Sequence, residues 1–226
     1  MTPPWSNKPV DWAAVRAQFP ALSKWTCLNT ATFGQLSRAS SEAVARHFAQ
    51  RDEFASADFL DWYADMERIR AKCATLVGAQ ADDVAFVTTA SQALATLTSG
   101  LDWNDGDHVL TFEHEFPNQL YAPRVREVPW ERLRESVDAH TRVVAISEIN
   151  YASGFRPPLK ELCDFLHSRG VILYIDGTQS VGALRFDVRE TPVDMLAVHG
   201  YKWLNSPSGA GFTYISPRLR DRIRPS

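Results

Sequence analysis

Lys202 stands between Tyr201 and Trp203 in "AVHGYKWLNSPSGAGFTYIS" (197–216), just past an apolar run, and Asp176 closes another such run, "VILYID", 26 positions earlier. A lysine drawn into apolar surroundings loses hydration of its cation, so the neutral amine, able to condense with an aldehyde, becomes easier to reach. An aspartate in the same kind of place needs a cation or good donors to stay ionised. Each has an ordinary reading by itself: Asp176 as a helix cap, Lys202 as a solvated loop lysine. Together they suggest Schiff-base chemistry on a carbonyl, with a carboxylate set beside a protonated ring nitrogen.

Pyridoxal 5'-phosphate is the cofactor that joins those two requirements, and it adds others. Its phosphate needs N–H groups at a helix start, and its ring needs a flat or apolar face to lie against. Ala90 and Ser91 open the helical stretch "ASQALATLTSG", where Ser91 is otherwise an ordinary N-cap. Phe116, ahead of Pro117, can cover the ring, although core packing is its plainer role. Gln179, three residues after Asp176, can donate to the phenolic oxygen, against the plainer reading of a solvated glutamine. His114 and His199 take a structural or phosphate-side role. A nucleotide-type phosphate loop is a poor rival, because its glycines precede its lysine and a Ser or Thr follows directly; "KWLNSPSGAG" reverses that order. No GxSxG elbow supports a serine triad.

These residues fall at the ends of short apolar runs: "DVAFVTT", "DHVLTFE", "RVVAISEI", "VILYIDG", "DMLAVHG" and "AGFTYIS". Runs of this kind alternating with helical segments predict an α/β fold with a mostly parallel sheet covered on both faces, and ligands then sit beyond the carboxyl ends of the strands. "RPPLKELCDFLHSRG" is a crossover helix with Pro158 near its first turn, apolar positions at 159, 162, 163 and 166, and Gly170 at its stop. "DFLDWYADMERIRAKCATLVGA" repeats apolar residues at 59, 62, 63, 66, 69, 73, 76 and 77, the stripe of a long amphipathic helix leading into the sheet.

A chain of 226 residues can bury an enzyme-sized core. Twenty-four basic and 27 acidic residues, spread evenly to a net −3, argue against a nucleic-acid surface. Cys27, Cys73 and Cys163 are far apart, without metal-ligand spacing, and are expected to be small core residues in a reduced compartment. With no basic start followed by an apolar run and no bilayer-length apolar stretch, a cytoplasmic protein with no membrane partner is expected.

The pieces "LNTATFG" (28–34), "TTASQAL" (88–94), "GDHVLTFEHEFPN" (106–118), "SEINYASGFRPPL" (147–159), "YIDGTQSVGAL" (174–184) and "DMLAVHGYKWLNSPSGAGFTYI" (194–215), in this order, resemble the class V aminotransferase family of fold type I pyridoxal phosphate enzymes. That family includes cysteine desulfurases, selenocysteine lyases, kynureninases and isopenicillin N epimerase. The resemblance implies that Lys202 forms the Schiff base, Asp176 pairs with the pyridine nitrogen, Gln179 meets the phenolic oxygen and Phe116 lies on the ring. It implies Ala90, Ser91 and Tyr201 at the phosphate, with Asn29, Thr30 and Asn150 near substrate or cofactor. It further implies an amino acid substrate and a homodimer in which Gly209 and Gly211 help form the site across the interface.

By the same resemblance, residues 1–35 form an N-terminal segment reaching the site and 36–226 the cofactor-binding large domain. The family's smaller C-terminal domain, with its arginine for the substrate carboxylate and, in desulfurases, a nucleophilic cysteine, is not matched here. Relatives also run a fuller helix and then a strand between "NQLYAPRV" and "REVPW", where this chain is several residues shorter. Transamination is the expected reaction; a desulfurase-like or selenocysteine lyase-like C–S cleavage and a kynureninase-like hydrolysis are the alternatives. A non-catalytic scaffold that binds cofactor without turnover is the reading from a different class.

Overall fold

The structure, a computed structural model, describes residues 9–224; residues 1–8 of the expected N-terminal segment lie outside the described residues. In chain order, the helices are α1 (Trp12–Ala17), α2 (Arg38–Phe54), α3 (Phe59–Val77), α4 (Ala90–Ser99), α5 (Pro117–Leu120), α6 (Leu133–Ser136), α7 (Leu159–His167) and α8 (Pro217–Arg220). The strands are β1 (Val84–Val87), β2 (His108–Phe112), β3 (Val125–Val128), β4 (Thr141–Ser147), β5 (Ile172–Asp176), β6 (Met195–His199) and β7 (Gly211–Ile215). All six expected runs are strands. β3 is the addition: "VREV" carries two charged residues and buries only Val128, so its sequence has no apolar run to betray it.

The seven strands form one sheet in the order β1-β7-β6-β5-β4-β2-β3. β2 is parallel to β3 and β4, β4 to β5, and β5 to β6. β7 is antiparallel to both of its neighbours, β1 and β6, so those two run the same way. The carboxyl ends of six strands therefore leave the sheet at one edge. This is the expected α/β architecture, a mostly parallel sheet between helical layers.

Each strand feeds two cores because successive side chains point to opposite faces. On β4, Val143 and Ala145 join Leu94 and Leu97 of α4, whereas Val144 and Ile146 join Leu162 and Leu166 of α7. The apolar positions expected on α7 are the ones buried, Leu159, Leu162, Cys163 and Leu166. Burial pushes the Cys163 thiol up to about 12, consistent with an inert core residue.

The stripe on α3 has a different fate from the one expected. The helix spans the anticipated residues, but only Ala74 and Val77 are buried, while Phe59, Tyr63, Met66, Ile69 and Leu76 are exposed. The stripe is real as a pattern; this chain by itself covers only its last turn. Gly78 (φ 73°) ends α3 in the left-handed region, and a Cβ there would come within 2.3 Å of Asp187 Oδ1.

Candidate active site

One cavity opens at the carboxyl edge of the sheet, with an empty space of about 520 Å³ including its mouth. It is lined by Ala90, Ser91, Phe116, Asp176, Gln179, His199, Tyr201 and Lys202, eight residues singled out from sequence, together with Thr89, Asn118, Ser147, Tyr151 and Thr178. Five loops after five strands supply them, which is why they are scattered in sequence and adjacent in space.

Lys202 is only 6% exposed, and its Nζ makes no hydrogen bond or ion pair among the described residues. Burial lowers the pKa of its ammonium, and the charge of Asp176 partly opposes the shift. Its Nζ lies 5.6 Å from the centre of the Phe116 ring and 5.5 Å from that of Tyr201. The nitrogen thus has no anion in direct contact, and its burial shifts it toward the neutral amine against the weak pull of the two rings on a cation.

Asp176, at the end of β5, meets its need for donors in two ways. Its Oδ1 accepts the Thr178 amide at 2.9 Å and its Oδ2 accepts Asn118 Nδ2 at 3.0 Å. The first of these is a local turn, so the capping role weighed from sequence is partly real, although no helix follows Asp176 in the structure. The second crosses from the loop after β2 and had no signal beyond an Asn two residues past Phe116.

At the far wall, α4 begins with Thr89 as its cap, the hydroxyl accepting the Gln92 amide at 3.0 Å; Ser91 is therefore the second helical residue and not the cap. First-turn amides have no partner within their own helix, so Ala90 and Ser91 bring unsatisfied donors to the cavity wall. The buried Tyr174 hydroxyl donates to the Ala90 carbonyl at 2.9 Å, tying this helix start to the strand that carries Asp176. His199 lines the same cavity, its ring 4.3 Å from that of Tyr201, and its Nε2 is buried without a partner among the described residues. Burial lowers the His199 pKa, with the charge of Asp176 opposing the shift and that of Lys202 adding to it. An acceptor entering the cavity could satisfy both the helix start and this orphaned nitrogen, as a phosphate would.

Three sequence expectations land elsewhere. Asn150 does not line the cavity: its Nδ2 donates to the His114 carbonyl and its Oδ1 accepts the amides of Ala152 and Ser153, so a tight turn engages the whole side chain. Asn29 closes a turn by accepting the Thr32 amide, and neither it nor Thr30 lines the cavity. The segment that carries them does reach the site, because Gln179 Nε2 donates to the Ala31 carbonyl at 3.2 Å and the Gly34 amide to the Tyr201 carbonyl at 2.9 Å. The Oε1 of Gln179 meanwhile accepts from Trp203 Nε1 at 3.3 Å.

A family model described as aminotransferase class V matches residues 56–226. The chain belongs to the class V aminotransferase family. The cofactor of that family is pyridoxal 5'-phosphate, and the sheet and its flanking helices are the large domain of its fold. An uncharacterised aminotransferase of Bacillus subtilis, YcbU, is 26% identical over 93% of this chain and 60% of its own length. A probable cysteine desulfurase of Methanothermobacter thermautotrophicus is 29% identical over 71% of this chain and 44% of its own. Among solved structures, C-DES with glycine covalently linked to its PLP cofactor superposes with a TM-score of 0.85 at 24% identity, covering 97% of this chain and 62% of that one. The chain thus spans less than two thirds of the length of these class V relatives. Among the described residues no helix is long and apolar enough to cross a membrane.

Proposed function

We propose that this chain is the cofactor-binding large domain of a pyridoxal phosphate enzyme that acts on an amino acid, with Lys202 as the residue that bonds to the cofactor. The observation that carries this reading is Lys202 itself, a buried amine without a counter-ion in contact, in one cavity with Asp176, a helix start and an orphaned His199 nitrogen. When bound, pyridoxal phosphate supplies an aldehyde that condenses with amines and a ring that accepts electrons from the substrate Cα.

The rest is work for the chain's own groups. Ala90, Ser91, His199 and Tyr201 would hold the phosphate; Phe116 would cover the ring and keep water from it; Asp176 would hold a proton on the ring nitrogen. Lys202 Nζ, once freed by the incoming amine and with its pKa lowered by burial, would take the substrate Cα proton and return it. Gln179 already bridges Ala31 and Trp203, so its service to the phenolic oxygen would be shared with that bridge.

Proton transfer at Cα is common to the family's reactions, and transamination needs nothing further from the side chains around Lys202. Desulfuration additionally requires a thiol to receive the sulfur. Elimination of a thiol from the substrate requires no such acceptor, and the likeness to a probable cysteine desulfurase keeps C–S cleavage as the second reading. Products decide: the purified chain, loaded with cofactor and given single amino acids, forms the corresponding 2-oxo acid with the amino group retained on the cofactor if it transaminates. Release of pyruvate with a sulfur product from cysteine or cystine would favour the second reading, and cofactor binding with no turnover would leave a scaffold.

We further propose a homodimer. Gly209 and Gly211 sit on an apolar groove with Met66, Ile69, Phe86 and Phe212, continuous with the exposed stripe of α3.

A further inference from the structure

Asn118 is buried beside the cavity, and nothing in the mechanism above uses it. Its Nδ2 donates to Asp176 Oδ2 at 3.0 Å, while its own Oδ1 is buried with no partner among the described residues. The orientation is forced: an ionised carboxylate only accepts, so turning the amide over would set its oxygen against another oxygen. The carbonyl is left unmatched so that the donor can reach Asp176. With the Thr178 amide on Oδ1, each carboxylate oxygen has one neutral donor and keeps capacity for another.

The frame that holds Asn118 is equally specific. The loop after β2 turns at His114, which has φ 65°. Glu115, buried at 3% exposure, then accepts the Ser147 amide and hydroxyl, both at 2.6 Å, and the Phe116 amide at 3.1 Å. Burial raises the Glu115 pKa in spite of these donors. Ser147 ends β4 and is the register partner of Asp176 on β5. Pro117 then starts α5, which sets Asn118 at its second position. One short loop, pinned to the strand beside Asp176, thus presents Phe116 to the cavity and Asn118 to the carboxylate.

We infer that Asn118 is a positioning residue that fixes the plane of the Asp176 carboxylate, so that the carboxylate is aimed to keep a proton on the cofactor's ring nitrogen. This rests on the pyridoxal phosphate reading of the Lys202 cavity. Two donors from different elements, one on each oxygen, remove the carboxylate's freedom to rotate. Without Asn118, the carboxylate is free to turn and is less well aimed, so the ring nitrogen holds its proton less tightly.

The test uses the full chain loaded with pyridoxal phosphate labelled with 15N in the ring, read by NMR. The unsubstituted protein is expected to show a protonated ring nitrogen at neutral pH. In Asn118→Leu the signal moves toward unprotonated pyridine, and the pH at which the ring proton is lost falls by about one unit. Asn118→Ser, smaller and compatible with a helix start, shifts in the same direction and decides the matter if the leucine variant does not fold; near-UV circular dichroism reports the packing. Variants that bind cofactor and titrate as the unsubstituted protein does would overturn the role of Asn118 alone. Failure of the unsubstituted protein to form a visible band that Lys202→Ala removes would instead overturn the reading on which the role rests.

Discussion

Lys202 is buried at a cost to stability that the proposed chemistry would use. Its pKa is lowered from 10.5, with burial the leading cause, so the unfolded chain binds that proton more tightly than the folded one. Stability is therefore reduced at pH values below the lowered pKa, and the penalty fades as pH rises toward 10.5, where both states lose the proton. Lys202→Met, which keeps the stem and removes the charge, is expected to raise the melting temperature of the cofactor-free protein at pH 7, by about 2–4 °C for each kcal/mol relieved, with the difference closing as pH approaches 10.5. Equal or lower melting temperatures for the variant across that range would show that the lysine is not penalised. At this scale the site was largely legible, because a charged or polar residue ending an apolar run has few reasons to be there. Where sequence and cavity differ, the asparagines share a cause: Asn150 and Asn29 hold turns, which asparagine does as readily as it serves a ligand, and Asn118 follows a proline at a helix start, where its type alone says nothing of a partner 58 residues away.

Between elements, the closest approach near the site is made by the N-terminal segment. A Cβ added at Gly34 would lie 1.9 Å from the Lys202 carbonyl and 2.4 Å from Asn205 Oδ1, while the Gly34 amide donates to Tyr201. No side chain fits there without moving the segment or the lysine loop. Gly34→Ala is expected to cost about 1–3 kcal/mol in stability by overpacking and to weaken cofactor binding at least tenfold, read by titrating apoprotein with pyridoxal phosphate; unchanged affinity would show that the contact does not position the lysine. The motif "LNTATFG" pointed to this segment through resemblance; its contacts with the cavity residues are the Phe33 ring, 4.9 Å from that of Tyr201, and two backbone groups, the carbonyl of Ala31 and the amide of Gly34, which side-chain identity does not announce. β3 escaped notice for a related reason: its charged residues break the apolar pattern, and it pairs only with β2 at the sheet's edge.

For the whole molecule, the sheet was legible because six strands carry apolar runs; the distribution of exposed surface was not. α2 buries no residue and α3 only two, although their sequences supply Val44, Phe48, Phe54, Phe59, Leu60, Tyr63 and Ile69. Periodicity says that a stripe wants cover without saying which chain provides it. The proposed homodimer makes a second copy the cover, so light scattering is expected to give twice the chain mass, and Ile69→Glu, a charge placed in the groove, to shift it toward the monomer. A monomeric mass for the unsubstituted protein at micromolar concentration would contradict the dimer. On the proposed reading, the cavity's purpose depends on one covalent bond. Reducing the cofactor-loaded protein with borohydride and mapping its peptides by mass spectrometry tests that bond most directly: the account predicts a pyridoxyl adduct on Lys202, and an adduct on another lysine, or none, would contradict it.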